Sequence, residues 1–390
     1  MKVALVTEWL DVWRGGAETS TRQFMHHLMD AGVDLHVFTR SRPSPAPGLS
    51  VHTLNGAAMS RTRRSMTFAV RVGRKLHEEP FDIVHAISPC RYADIYQPRG
   101  GTVAESVERN IALRRSGTGR RLKRVANRFN FKQRYMLGLE RKLLGPGERP
   151  MVVAISNYVV RQLKEHYSLP GERIRLIYNG VDPDPTSEER RRANRRAIRA
   201  EFGTGDDQVL VLQVAHNFRL KGVERWMDAL ALLRRRGRGD IRALVIGRGD
   251  SRRWHDRADR LGLAQSLTFV GSSDRVREFH HAADILVHPT YYDPCSRVVL
   301  EGLAAGLPCI TTLWDGASEM IVNGRNGFVL PNPDDVPAFA DLVDQLCDPG
   351  LRRAMSESAA KIGDRISMVR HAAEMLKLYE EVAGAKETTR

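Results

Sequence analysis

The stretch "YYDPCSRVVLEGLAAGLP", positions 291 to 308, decides the fold. It opens on a polar turn, Tyr292-Asp293-Pro294, and runs into an apolar helical segment carrying one acid, Glu301. It stops at Gly306-Leu307-Pro308. Just upstream, "DILVHPT" (284–290) reads as a short buried strand, and "PCITT" (308–312) reads as the next one. Strand, polar loop, helix and strand in this order imply a parallel sheet with helices on both faces.

Working outward, the same pattern fills the chain. In the second half "QVLVLQVA" (208–215) precedes the helix "GVERWMDALALLRRR", and "IRALVIGRGD" precedes a helix over 252–261. "LTFVG" then precedes "DRVREFHHAA", and "GASEMIV" follows the last strand. The first half begins with the strand "KVALVTEWL", the loop "DVWRGGAE", the helix "TSTRQFMHHLMDAG" and the strand "VDLHVFTR". Strands recur at "SVHTL", "FDIVHAI" and "MVVAIS", and "ERIRLIYNGVDPDP" closes the half. The chain of 390 residues therefore reads as two Rossmann-like, doubly wound α/β domains, 1–178 and 179–365. A helix over 366–390 is expected to pack back on the first domain. Ligands of such a pair are expected in a cleft, at the carboxyl ends of the strands.

Bulk composition narrows the function. Lys and Arg number 61 against 46 Asp and Glu, a net charge of +15, which favours an anionic partner. Cys90, Cys295, Cys309 and Cys347 have no CxxC or zinc spacing, so a reducing, cytoplasmic setting is expected. No run reaches the roughly 18 apolar residues of a spanning helix, and the start lacks a signal-peptide pattern.

Three loops are candidates for holding a phosphorylated ligand. Gly15-Gly16 lies between the first strand and first helix, where backbone can approach a ligand; a plain flexible turn reads equally well. The pair does not form a GxGxxG fingerprint or a Walker A loop. Arg219 and Lys221 stand at the equivalent place in the second domain, as cations suited to a diphosphate or as a solvated basic loop. A helix starting near Cys295-Ser296 would offer N–H groups from Ser296, Arg297 and Val298 to phosphate oxygens. Asp293 and Glu301, within about 12 Å of each other at helical rise, can accept hydrogen bonds from sugar or ribose hydroxyls. Asp293 is also placed to cap the helix. "DPD" at 182–184 is read as linker rather than metal site.

Between Arg109 and Lys142 there are twelve Arg or Lys residues and one acid, Glu140, interleaved with Phe129, Phe131, Tyr135, Met136, Leu137 and Leu139. A basic amphipathic segment over about 103–142 can lie on an anionic membrane surface, or be a solvated helix. No recognition module for nucleic acid accompanies the charge. "EERRRANRRAIRAEF" (188–202) reads as a surface helix.

Together these segments resemble the retaining glycosyltransferases of family 4, which have the GT-B fold. The family signature has two glutamates separated by seven residues; here Asp293 takes the first place and Glu301 the second. "WRGGAE", Lys221-Gly222 and "NGVD" (179–182) fall in the family's order. The resemblance implies that Gly15 and Gly16 contact the donor phosphate or the transferred sugar, and that Lys221 and Arg219 bind the diphosphate. His216 stands where the family has an arginine. It further implies that Glu301 holds the ribose, that Asp293 orients the donor sugar, and that Arg248, Arg275 and Val276 meet the base. "YQPRGG" (96–101) faces the same cleft in the family, where many relatives place a histidine near Arg99. The implied reaction is metal-independent transfer of a hexose, glucose from UDP-glucose, to a heptose or other sugar of a lipopolysaccharide core or related glycolipid. No tightly bound cofactor is expected. The enzyme would sit peripherally on the inner face of the cytoplasmic membrane, with a lipid-linked, phosphorylated acceptor. Competing readings are a GT-B phosphorylase or epimerase, and a non-catalytic nucleotide-binding scaffold.

Overall fold

A computed structural model describes residues 1–11, 16–42, 47–54, 61–114, 116–145, 150–249 and 252–388. It divides into two compact units, Met1–Asp182 with Ser367–Arg390, and Pro183–Ile366.

The first unit holds a seven-stranded sheet of β1 (Lys2–Val6), β2 (Asp34–Thr39), β3 (Leu49–Thr53), β4 (Ile83–Ala86), β5 (Ile95–Tyr96), β6 (Met151–Ala154) and β7 (Ile174–Leu176). Their spatial order is β3-β2-β1-β4-β5-β6-β7 and every pairing is parallel. The second unit holds β8 (Val209–Val214), β9 (Ile241–Ile246), β10 (Leu267–Gly271), β11 (Ile285–His288), β12 (Cys309–Thr312) and β13 (Gly327–Leu330). Its order is β10-β9-β8-β11-β12-β13, again all parallel. In each sheet the order reverses direction beside the unit's first strand. That switch point leaves a crevice at the strand ends, where doubly wound proteins bind ligands.

The central strands are buried on both sides, as their continuous apolar runs require; Val211, Ile285 and Cys309 are fully shielded. In the second unit Trp226, on helix Val223–Arg235, packs on Phe339 with ring centroids 5.7 Å apart. In the first unit helix Met368–Thr388 belongs to the core. Its Met368, Met375, Leu378 and Tyr379 cluster with Phe24 and Leu28 of helix Gly16–Asp30.

Two local readings need correction. Gly16 is not a loop residue but the first residue of helix Gly16–Asp30; Gly15 lies outside the described residues. The basic segment is not one helix but three, Val103–Ala112, Gly117–Arg128 and Phe131–Leu144. Ser116 and Asn130 cap the second and third, and the side chain of each accepts an N–H three residues on.

Candidate functional site

In the second unit the loops after β8 and β11 meet at the switch point. Gly222 makes this possible: its φ is +68°, and a Cβ there would lie 2.0 Å from the carbonyl oxygen of Pro289. The loops are then stitched together, with the Tyr291 N–H donating to Leu220 O at 2.9 Å and the Thr290 hydroxyl to the same oxygen at 3.2 Å. This packing carries Lys221 to Asp293. The Lys221 Nζ donates to Asp293 Oδ2 at 2.6 Å and to the Tyr292 carbonyl at 3.0 Å. His288, buried at the end of β11, places its Nε2 3.4 Å from the same carboxylate oxygen. Burial alone would raise the Asp293 pKa, but the Lys221 charge and then the His288 contact hold it well below the usual carboxylate range.

Behind this pair sits Asp315, fully buried at the end of the loop after β12. It accepts the Ser296 N–H at 2.9 Å, the Ser296 hydroxyl at 2.5 Å, the Thr311 hydroxyl at 2.8 Å and the Ala317 N–H at 2.9 Å. Burial, then repulsion from Asp293, raises its pKa. Sequence reasoning missed Asp315 and His288; a histidine closing apolar strand β11 and an acid in the loop just after β12 were the available signals. Asp315 also corrects the expectation for Ser296. The Ser296 N–H does not face a ligand, because the Asp315 carboxylate takes it. The same contact removes Asp293 from the capping role.

His216 and Arg248 stand exposed where β8 and β9 end, and Arg219 is exposed one turn on. Desolvation, then the Arg248 and Lys221 charges, lower the His216 pKa and favour the neutral ring. Lys221, Arg219 and Arg248 thus concentrate positive charge around one crevice of parallel strand ends. Glu301 sits on helix Arg297–Ala304, half-buried, and accepts from Arg297 Nε at 2.7 Å. Val298 lies in the first turn of that helix. Arg275 departs from expectation, since its backbone N–H donates to Ser273 Oγ at 3.1 Å and its guanidinium pairs with Glu201 and Glu278. Val276 opens the helix that follows.

The first unit has its own crevice at the β1/β4 switch point, a cavity of about 460 Å³. Thr7, Ser88, Arg99 and Thr102 line it, together with Lys132 and Met136 from the third helix of the basic segment. Arg99 is buried and donates to Ser20 Oγ at 2.8 Å, to Gln97 Oε1 at 2.8 Å and to His371 Nε2 at 2.9 Å. The imidazole that meets Arg99 comes from His371, on helix Met368–Thr388. It acts as an acceptor and is fully buried. The "DPD" acids are side-chain anchors: Asp182 meets His27 in the first unit and Asp184 meets His281 in the second.

Two doubly wound parallel units, with a lysine–carboxylate pair at the switch point of the second, define a sugar transferase of the GT-B type. The family model "Glycosyltransferase Family 4" matches residues 14–185, and "Glycosyl transferases group 1" matches residues 194–362. The lipopolysaccharide glucosyltransferase WaaG of Escherichia coli (strain K12) is 26% identical over 359 residues, 90% of this chain and 91% of that protein. A crystal structure of WaaG superposes with a TM-score of 0.83 at 23% identity, covering 97% of this chain and 99% of that one. Anabaena HepE in complex with UDP-glucose has a TM-score of 0.70 at 16% identity, covering 98% and 100%. The chain belongs to glycosyltransferase family 4: it is a retaining GT-B enzyme that transfers a sugar from a nucleotide-diphosphate donor.

Proposed function

We propose that the enzyme moves glucose from UDP-glucose to a heptose or other sugar of a lipopolysaccharide core or a related glycolipid. The observation that carries this reading is the likeness to the lipopolysaccharide glucosyltransferase along 90% of the chain. The donor diphosphate would lie against Lys221 and Arg219, with Arg248 at the base, Glu301 on the ribose and Asp293 directed at the sugar. Asp293 is a methylene shorter than the family's glutamate, so Lys221 and His288 fix the reach of its carboxylate. The acceptor hydroxyl attacks the anomeric carbon on the face that the UDP leaves. The C–O bond to the β-phosphate breaks, and that phosphate takes the hydroxyl proton. The protein contributes charge stabilisation on the leaving group rather than a covalent intermediate. A panel of nucleotide sugars with purified enzyme and truncated lipopolysaccharide cores, read by product mass and anomeric linkage, tests this. The expected product carries one added hexose in α linkage from UDP-glucose alone. Preference for another donor, or phosphate-dependent cleavage, would replace the reading.

The cavity of the first unit suits the acceptor, and its position favours one tethered to lipid. Asn130, Lys132 and Gln133 on its rim follow directly on the turn that exposes Phe129 (73%) and Phe131 (69%). Helix Gly117–Arg128 has no buried residue, and Leu122 and Val125 share its exposed apolar stripe with Phe129. Arg120, Arg121, Lys123, Arg124 and Arg128 surround that stripe. Inserting a phenyl ring into lipid stabilises by about 1.5–3 kcal/mol. Each basic residue near an anionic surface adds about 1 kcal/mol. No helix among the described residues is long and apolar enough to cross a membrane, so attachment would be peripheral, on the inner face of the cytoplasmic membrane. The double variant Phe129→Ser/Phe131→Ser is expected to lose binding to phosphatidylglycerol vesicles while still glycosylating a delipidated core. Equal binding of the parent to neutral and anionic vesicles would sink the membrane assignment.

A further inference from the structure

The first unit carries a second cluster of ligating groups, on its outer strands, that the transfer reaction does not use. His36 on β2, His52 on β3 and Glu79, just past helix Arg61–Glu78, each bring a donor atom within 4.8 Å of the others. His36 Nδ1 and His52 Nε2 face each other at 3.0 Å. Aromatic packing fixes both rings. His52 stacks on Phe38 at a centroid distance of 4.4 Å, and His36 meets the Phe81 ring edge-on at 5.2 Å. The Nε2 of His36 lies 3.3 Å from Asp34 Oδ1. A proton held there leaves Nδ1 as the lone-pair donor, and a carboxylate behind a histidine is the arrangement that orients metal-binding imidazoles.

We propose that His36, His52 and Glu79 bind a divalent transition-metal ion of the zinc class, tying edge strand β3 to β2 and to the end of helix Arg61–Glu78. Two imidazoles and one carboxylate form a ligand set for such an ion, with water as the fourth ligand, and are poor ligands for calcium or magnesium. The charged groups facing the cluster are Asp34, Lys2 and Lys75. Lys2 is the informative one: its ammonium sits 2.5 Å from Glu79 Oε1 and 5.1 Å from the Phe81 ring centre. A cation already holds one oxygen of the carboxylate, and the metal ion competes with it for that charge.

That competition gives a test with two opposite signs. Untagged, chelator-treated enzyme is titrated with Zn²⁺ by calorimetry, and with Co²⁺ by visible absorption, which reports the coordination geometry. One equivalent is expected to bind. His36→Gln and His52→Gln each abolish that site, and Asp34→Asn weakens it by roughly tenfold. Lys2→Met, a surface change that needs no refolding of the cluster, tightens binding. Zn²⁺ affinity that is unchanged in His52→Gln, or weaker in Lys2→Met, overturns the proposal, as does the absence of any stoichiometric binding. Circular dichroism of each variant separates lost ligation from lost fold.

Discussion

Lys221→Met lowers turnover at saturating donor by about 100- to 1,000-fold, the range seen when one donor aimed at developing negative charge is removed. An ammonium carries three N–H donors. Two are committed, to Asp293 and to the Tyr292 carbonyl. The third has no contact recorded among the described residues, and the side chain keeps 18% of its surface open. On the proposed function, a β-phosphate oxygen gaining charge as the glycosidic bond breaks would be the partner that completes the set. Because that charge grows only on the way to the transition state, kcat falls further than donor affinity. The Met side chain preserves the packing of the stem against the loop after β11. A melting curve confirms that the second unit is folded, and kcat near that of the parent would remove Lys221 from its assigned role.

The second large effect is on stability in acid. His85 on β4 is fully buried, its Nδ1 2.6 Å from the Tyr379 hydroxyl; burial, then the Arg99 charge, pushes its pKa down to about 3. His371 is held well below its ordinary value by burial and then by Arg99. Both rings are neutral in the folded first unit and take up protons when it unfolds. The unfolded chain therefore binds more protons wherever the pH lies below about 6.5 and above the folded values. Stability from these two groups is complete above pH 6.5 and is lost as pH falls toward 3. For His85 a step from pH 7 to 5 costs about 2 kcal/mol, against a domain's usual 5–15 kcal/mol, and His371 adds a loss of the same sign. Urea unfolding at the two pH values measures the loss, and His85→Gln should remove about 2 kcal/mol of it. The carboxylates do not mimic this effect. Asp184, lowered to about 2 mainly by hydrogen bonds from Thr186 and His281 that outweigh its burial, loses its contribution only below about pH 4.

How much of the site could be read from sequence depended on how far apart in the chain its partners lie. Apolar runs punctuated by polar loops were enough to place Lys221 and Asp293 after strands of one parallel sheet, since the topology fixes which strand ends are neighbours. The place of Glu301 on a mostly apolar helix was legible for a similar reason. Ser296 was misread because its N–H is taken by a carboxylate nineteen residues later, across two intervening elements. No local pattern announces that contact. Arg99 and His371 lie 272 positions apart and meet only because the chain returns to the first unit. The basic segment was visible as composition, but its division into three helices rested on Ser116 and Asn130, two capping residues among many polar neighbours.

That return of the chain has a consequence for biosynthesis. The first 182 residues leave the ribosome without Met368, His371, Met375 and Tyr379, which complete their core. The intervening 183–366 segment has its own closed core and can mature while it is made. At roughly 5–20 residues per second, translation of that segment holds the first unit open for about 10 to 40 s. Throughout that interval Phe24 and Leu28 lack the partners that helix Met368–Thr388 supplies, so the nascent chain keeps apolar surface open to a chaperone.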